Sequence, residues 1–448
     1  MMKTDEGKTW RNWAHTSEST PENIFYPTSI EDICKLVKEA SKQNKTIRVV
    51  GAGHSFTSLV QTSEWLVSLD ELSGIETINE EECYATVLGG TRLFQIGAEL
   101  GELGYAQENL GDVNVQSIAG AISTGTHGTG LAFGNISTQV LEVVLVTGSG
   151  EVLTISEENN PTYFKACLVS LGSLGIIVKV TIKIIPCPIY EYKSRKIAFP
   201  QLAQQLEQLI ESNRHFEFYL FPYSDIVQVK TMNIVEQKPQ RMELHHFKNL
   251  LLENYLFFIF SETCRIFPKS SRFFSRLSAK GVGTSTKRAN SYQLFATPRL
   301  VRFREMEYCI PLENLKPALK KVRECIVTKK YNVHFPIECR TVKADDIWIS
   351  PSYQRDSAYI AFHMYKGMPY EEYFHDMESI MQQFDGRPHW AKMHTRTKED
   401  LLTLYPKLSD FLVVREKLDP ERIFMNHYLN ELFKVERASH QPRQIVKS

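Results

Sequence analysis

The 448-residue chain is 42% hydrophobic and 23% charged, as in an ordinary soluble globular protein, and long enough for about two to three domain-sized units. Lys plus Arg and Asp plus Glu each number 52, so the net charge is zero, which excludes the basic excess expected of a nucleic-acid-binding surface. The eight cysteines are scattered without a CxxC pair, which leaves no metal-ligand spacing and points to reduced thiols in a cytoplasmic protein.

The N-terminus, Met1 to Ala14, is charged, carries two tryptophans and lacks an apolar signal-peptide core. Thr28-Ser-Ile-Glu31 reads as a capping box, and Ile33, Leu36, Val37 and Ala40 follow at helical spacing. A β-rich run from Thr46 to Val50 ends in Gly51-Ala52-Gly53-His54-Ser55-Phe56. Trp65 to Leu69, Tyr84 to Leu88, Val140 to Val146 and Gly175 to Ile185 read as further strands, and Arg92 to Leu103 as a short amphipathic helix. This predicts an α+β domain over residues 1–188, ended by Pro186-Cys-Pro188. From 189 to 418 the helix Phe199 to Asn213 alternates with the strands Phe216 to Phe221, Arg304 to Ile310 and Tyr359 to Tyr365, as in a second α+β domain. Residues 419–448 form a third segment, helix and turn from Asp419 to Phe433.

Two glycine segments carry the first chemical signal. In Gly51-Ala-Gly53-His54-Ser55 the glycines let the backbone bend sharply and come close to an anion. The third glycine of a dinucleotide fingerprint is missing, and alone the loop reads equally well as a surface turn. Asn109-Leu-Gly111-Asp112 then leads into Ser117-Ile-Ala-Gly120-Ala-Ile-Ser-Thr124-Gly125-Thr126-His127-Gly128. Small residues at that density, with Ser and Thr hydroxyls between them, suit a backbone wrapped around a pyrophosphate.

By the combination of these two loops, the chain resembles FAD-linked oxidases of the vanillyl-alcohol oxidase type, and within them the aldonolactone oxidases. The resemblance covers nearly the whole chain. It implies a two-part FAD-binding domain followed by a cap domain over the flavin. FAD is expected to be bonded covalently through His54, with Val50, Gly51, Ala52, Gly53, Ser55, Phe56, Gly111, Asp112, Gly120, Thr124, Gly125, Thr126, His127 and Gly128 around the cofactor. In related lactone dehydrogenases an alanine beside the flavin obstructs oxygen. Alignment on Ser117-Ile-Ala-Gly120 puts Gly111 there, which implies oxygen as acceptor and hydrogen peroxide as product. Gly111 is also explained if its backbone needs a positive φ.

The C-terminal half carries the substrate signal. Glu338-Cys-Arg340 is similar to the Glu-x-Arg element of lactone and polyol oxidases, and on a strand the two side chains share one face. Asp345-Asp346-Ile-Trp348-Ile-Ser350-Pro351 and Arg387-Pro-His389-Trp390-Ala-Lys392-Met-His394 follow. Together with His363-Met-Tyr365 they are closer to gulono- and arabinonolactone oxidases than to alditol oxidases, which remain the alternative beside a lactone dehydrogenase. The resemblance implies Glu338, Arg340, Lys392 and Ser117 as catalytic residues acting on a sugar-derived hydroxyl. The plain alternative is a surface ion pair, a solvated lysine and a core tryptophan. Finally, the aromatic segment Leu250 to Phe260 precedes Lys269, Arg272, Arg276 and Lys280 at spacings that place four cations on one helical face. Leu250 to Lys280 is therefore expected either to touch an anionic membrane surface peripherally or to pack inside the cap.

Overall fold

The computed structural model describes residues 2–240, 244–295 and 301–435, and the side chains of residues 244–253 lie outside the description. The fold is α+β, built on three main sheets. The helix Ile30–Lys42 buries Ile33, Leu36, Val37 and Ala40, as its spacing predicts. Its cap sits one residue later than expected. Ser29, not Thr28, is the N-cap and accepts from the Asp32 N–H at 3.1 Å, while the Asp32 carboxylate accepts from Thr28. The buried stripe is the same from either start, so the apolar pattern could not choose between two adjacent hydroxyl residues.

This helix shares a core with two sheets. One is a four-stranded sheet ordered Lys3–Glu6, Asn23–Tyr26, Trp65–Ser68, Ile47–Val50, its last three strands parallel. The other is antiparallel and ordered Val152–Ser156, Val140–Val146, Ile176–Lys183, Tyr84–Leu88, Ile75–Asn79. The helix Leu93–Glu102 and the six-residue helix Ile118–Ser123 pack against the second of these.

The third sheet is antiparallel and runs Ser285–Asn290, Ile189–Ala198, Ile226–Ile234, His215–Leu220, Ile337–Val342, Ser357–Tyr365, Phe303–Pro311, Arg387–Pro388. Alternation divides its central residues between two faces. Phe216, Phe218, Ile337, Cys339, Ile360, Phe362, Met306 and Tyr308 point to a core covered by the helices Phe199–Glu211, Leu315–Lys329 and Glu371–Gln382. The opposite face carries the residues between them, and these build the site below.

The chain returns to the N-terminal core earlier than Asp419. Leu401, Leu408, Phe411, Val414 and Leu418 already pack there with Ile118, Val143 and Ile177. Beyond them, the Asp419 carboxylate accepts from the N–H groups of Ile423 and Phe424 at 2.8 and 2.9 Å, and Ile423 accepts from Ile47 at 2.7 Å. Residues 436–448 of the expected C-terminal segment lie outside the described residues. All eight cysteines are free.

Candidate active site

The loop Gly51–Phe56 separates two adjoining hollows. Gly51 and Ser55 line the first, His54 and Phe56 the second. Gly53 has φ +67°, and a Cβ on Gly51 would come within 2.3 Å of the Ser117 Oγ, so the backbone approaches its neighbour more closely than any other residue allows. The first hollow is walled by Val50, Gly51, Gly90, Gly120, Gly172 and Gly175, with the hydroxyl residues Ser55, Ser117, Ser123 and Thr124. Ser117 is expected beside the substrate, but the structure places it in this first hollow. There its Oγ caps the helix Ile118–Ser123 by accepting from the Gly120 N–H at 3.4 Å.

The second hollow lies over the polar face of the eight-stranded sheet. Register fixes its furniture: Glu217 faces Arg340, Tyr219 faces Glu338, Glu338 faces Ala361, and Glu305 faces His363. Glu338, Arg340 and Lys392, expected from the sequence, come together here, with His54, Gly111, Asp112, Thr126 and His127. Ala52, Gly53, Gly125 and Gly128 line neither hollow; Gly53 packs on Trp10 and Asn12, Gly125 on Pro351, and Gly128 on Asn109 and Leu110. Glu305, Glu307, His363, His389 and Trp13 also line the second hollow and were not anticipated. The signal for the acids was available, because Glu305 and Glu307 stand two apart in a strand whose residues from Met306 on are otherwise apolar.

Some motif residues go elsewhere. Trp390 is core, stacked on Tyr405 with its indole N–H donating to the Ile349 carbonyl at 2.7 Å. The Tyr365 hydroxyl donates to Glu262. Asp345 accepts from Asn135 at 3.0 Å and from the Ser350 hydroxyl at 2.6 Å, and burial pushes its carboxyl up to about 7.

Three charge arrays share the second hollow. In the first, Arg340 bridges Glu338, Glu217 at 3.0 Å and Asp112 at 3.7 Å, and the Tyr219 hydroxyl donates to Glu338 at 2.8 Å. Burial works against the guanidinium charge, but Glu338 and Glu217 hold it above its ordinary range. In the second, Glu305 accepts from the Lys392 ammonium and lies 3.5 Å from His363 Nε2. Burial opposes that carboxylate too, yet Lys392 and His363 keep it well below the usual range. In the third, Glu307 lies 3.2 Å from His127 Nε2, while His127 Nδ1 donates to the Gly128 carbonyl at 2.9 Å. Both nitrogens of His127 therefore face oxygen acceptors.

His127, Glu307 and His389 are the one trio with metal-ligand spacing among the described residues. Their donors argue for proton chemistry instead. His389 Nδ1 accepts from the Ala391 N–H at 3.1 Å, so its Nε2 keeps a hydrogen and is no ligand.

Comparison with known proteins agrees with this geometry. Residues 21–156 match the family described as FAD binding domain, and residues 180–432 the family described as D-arabinono-1,4-lactone oxidase. The L-gulono-1,4-lactone dehydrogenase of Mycobacterium tuberculosis is 37% identical over 425 residues, 94% of this chain and 97% of its own. The L-gulonolactone oxidase of Bos taurus is 32% identical over 449 residues, 97% of this chain and 100% of its own. The chain belongs to the aldonolactone oxidase family. It is thus an FAD-dependent oxidoreductase. Cholesterol oxidase from B. sterolicum superposes with a TM-score of 0.80 at 17% identity, covering 96% of this chain and 97% of that one, which supports the fold.

The cofactor of the aldonolactone oxidase family fits the residues present. The first hollow offers close backbone approach at Gly51, Gly120 and Gly172 and hydroxyls at Ser55, Ser117 and Thr124, which suits a pyrophosphate. The second brings His54 and Gly111 to one wall. Gly111 is not among the positive-φ glycines, and an added Cβ would lie 3.1 Å from the His127 carbonyl and 3.4 Å from the Thr126 methyl. Backbone strain therefore does not explain this glycine.

The His127–Glu307 pair makes a pH-dependent prediction. Burial opposes the Glu307 charge, but His127 draws its carboxyl from the usual 4.5 down to about 2. A depressed carboxyl contributes stability that is present above about pH 4.5 and lost as the pH falls toward 2. Glu307→Gln is expected to cost about 3 kcal/mol near neutrality. The gap in melting temperature from the parent should narrow from pH 6 to pH 3. A gap that holds constant over that range refutes the assignment.

Proposed function

We propose that the protein oxidises a secondary hydroxyl of a sugar-derived aldono-1,4-lactone, with FAD bonded to His54 and oxygen as the final acceptor. The observation that carries this reading is the convergence of Glu338, Arg340 and Lys392 on the hollow that His54 and Gly111 also line. In it, the bound flavin supplies the two-electron acceptor. Glu338, fixed by Tyr219 and Arg340, accepts from the substrate hydroxyl and takes its proton as the C–H hydride leaves. Lys392, oriented by Glu305, donates to the neighbouring oxygen, and Arg340 stabilises the negative charge that develops. Phe56, Phe303 and Trp13 make the remaining wall apolar and limit water.

Burial, with Lys392 and Arg92 nearby, pulls His54 down to about 4, so the ring is neutral at pH 7 and one nitrogen keeps a lone pair. His54 would hold the flavin by a C–N bond formed at the expense of one flavin C–H and the imidazole N–H, and oxygen, the proposed acceptor, would take up the two electrons and two protons released.

In acid-denatured protein, flavin fluorescence is expected to stay with the polypeptide and to be lost from it in His54→Ala. Anaerobic addition of aldonolactones should bleach the flavin. Glu338→Gln, Arg340→Lys and Lys392→Met should each slow that bleaching by roughly 30- to 1000-fold, the loss typical of a transition-state contact. Bleaching by alditols alone moves the substrate to polyols, and parental rates in all three variants remove these residues from the site.

The acceptor is tested at Gly111. An added Cβ on Gly111 would press on the His127 carbonyl at 3.1 Å and touch the Thr126 methyl at 3.4 Å, at the hollow's wall. If the methyl, in displacing these neighbours, narrows the approach of oxygen, Gly111→Ala keeps substrate reduction but slows reoxidation by air at least about tenfold. Equal reoxidation of both proteins eliminates the gate and favours the dehydrogenase reading.

A peripheral membrane contact is the second reading. The Leu244–Ile266 helix and the Ser271–Gly281 helix, with the turn between them, expose Tyr255, Phe267 and Phe273 at 63%, 65% and 63%, beside Leu256, Ile259 and Leu277. Among the described residues no helix is long and apolar enough to cross a membrane. Of the four expected cations, Arg272 donates to the Lys330 carbonyl at 3.0 Å and Arg276 to the Tyr223 carbonyl at 3.1 Å, which ties the helix to the body, while Lys269, Arg276 and Lys280 stay exposed. Of the aromatic segment, the side chains of residues 250–253 lie outside the described residues. The apolar side chains, more than the cations, would hold such a surface to lipid. Flotation with anionic and with neutral liposomes is expected in both; protein left at the bottom of both gradients rejects the contact.

A further inference from the structure

His54 is an odd residue to leave loose. Its ring has no hydrogen-bond partner among the described residues, although a histidine that must present one nitrogen to a fixed carbon needs its two side-chain torsions set. What touches it is Trp13, stacked at a centroid distance of 5.3 Å and an interplanar angle of 19°. Trp13 is itself held from several sides. Its backbone N–H donates to the Gly53 carbonyl at 2.8 Å, and its ring meets Phe303 edge-on at 5.3 Å and Phe56 at 6.3 Å.

The surrounding loop is fastened to the backbone on both sides of His54. The buried Asn12 amide donates to the Ser55 carbonyl at 2.8 Å, and its oxygen accepts from the N–H groups of Thr16 and Ser17 at 2.9 and 3.1 Å. The Thr16 hydroxyl donates to the Phe56 carbonyl at 2.9 Å. Three attachments, at Gly53, Ser55 and Phe56, thus belong to a segment far from the glycine motifs in sequence. A surface-covering loop would not need to grip both flanks of one histidine and lay an indole on its ring.

We propose that Trp13 is the positioning residue for His54: the N-terminal loop sets the plane of the imidazole, so bond formation to the flavin depends on the indole while FAD binding does not. The inference rests on the covalent reading above. It separates two tasks. The glycine-lined hollow holds the cofactor, and Trp13 holds the ring that reacts with it. Aromatic stacking is weak enough that its loss lowers the population of the reactive orientation by a few-fold to about tenfold, without unfolding the site.

The test uses the full-length chain with FAD, comparing the parent with Trp13→Phe, Trp13→Leu and Trp13→Ala. Samples are quenched in acid at intervals and the flavin remaining on the polypeptide is measured, beside total bound FAD and the melting temperature. Trp13→Phe should attach flavin at close to the parental rate, because a stacked ring is retained. Trp13→Leu fills much of the space without a stack and should bind FAD fully but attach it about tenfold more slowly. Trp13→Ala should behave like the leucine variant. If Trp13→Leu attaches flavin at the parental rate, the inference is overturned. It is equally overturned if all three variants lose attachment only in proportion to lost FAD binding. A parent protein that releases all its flavin in acid overturns the covalent reading itself, a result visible before any variant is made.

Discussion

A carboxylate taken out of water costs on the order of several kcal/mol unless cations or donors meet it, and one face of the eight-stranded sheet largely buries four of them. Glu217, Glu305, Glu307 and Glu338 emerge from three strands beside a wall formed by the N-terminal half. Their partners come from every direction: Arg340 and Lys230 from the sheet, Lys392 from the segment after Arg387–Pro388, and His127 from the second glycine loop. The two halves of the chain are therefore joined by paired charge as well as by apolar contact. Such an environment, already charged and poorly hydrated before a substrate arrives, favours charge that develops during a reaction.

The cofactor side depends on a different buried cation. Arg48 sits, buried, in the strand that leads into Gly51. It donates to the carbonyls of Leu59 and Leu171 at 2.9 Å, of Gly172 at 3.0 Å, and of Phe424. These belong to three separate stretches of chain, and each carbonyl left unpaired would cost about 1–3 kcal/mol. One guanidinium thus sets the distance between the Gly51 loop, the Gly172 turn and the returning C-terminal segment. It lets glycine-rich backbone line a hollow without collapsing into it.

Much of this could be read from the sequence where the signal was local. The run Tyr359 to Tyr365 was read as the strand carrying His363, glycine density located both loops, and the resemblance to a Glu-x-Arg element picked out Glu338 and Arg340. The resemblance supplied His54 and Lys392, which no spacing rule would single out. What was not readable depended on register and on long-range approach. Ser117 looked equally able to face substrate or phosphate until the helix it caps was placed. Glu305 and Glu307 carried the same two-residue spacing as Glu338 and Arg340, but no motif drew attention to them. Arg272 and Arg276 share a helical face, yet each also donates to a carbonyl distant in sequence, of Lys330 and Tyr223, which no spacing rule shows. Trp13 lay in a segment whose only sequence feature was charge and two tryptophans.

The apolar side of the sheet protects the chemistry of the polar side. Strand side chains alternate with a period of two, so a one-residue slip of Phe303–Pro311 would carry Met306 and Tyr308 into the flavin hollow. It would also drive Glu305 and Glu307 beneath the helices that cover the core. Two carboxylates would then be buried without partners, while Lys392 and His127 would face nothing of opposite charge. The penalty on both faces has the same sign, so the register that packs the core is also the register that pairs the charges. Neither requirement alone fixes the strand as firmly: an apolar slip could be repacked and an exposed acid could turn to solvent. Together they hold Glu305 opposite His363, and Lys392, which pairs with Glu305, inherits a rigidity that its own hydrogen bond would not supply.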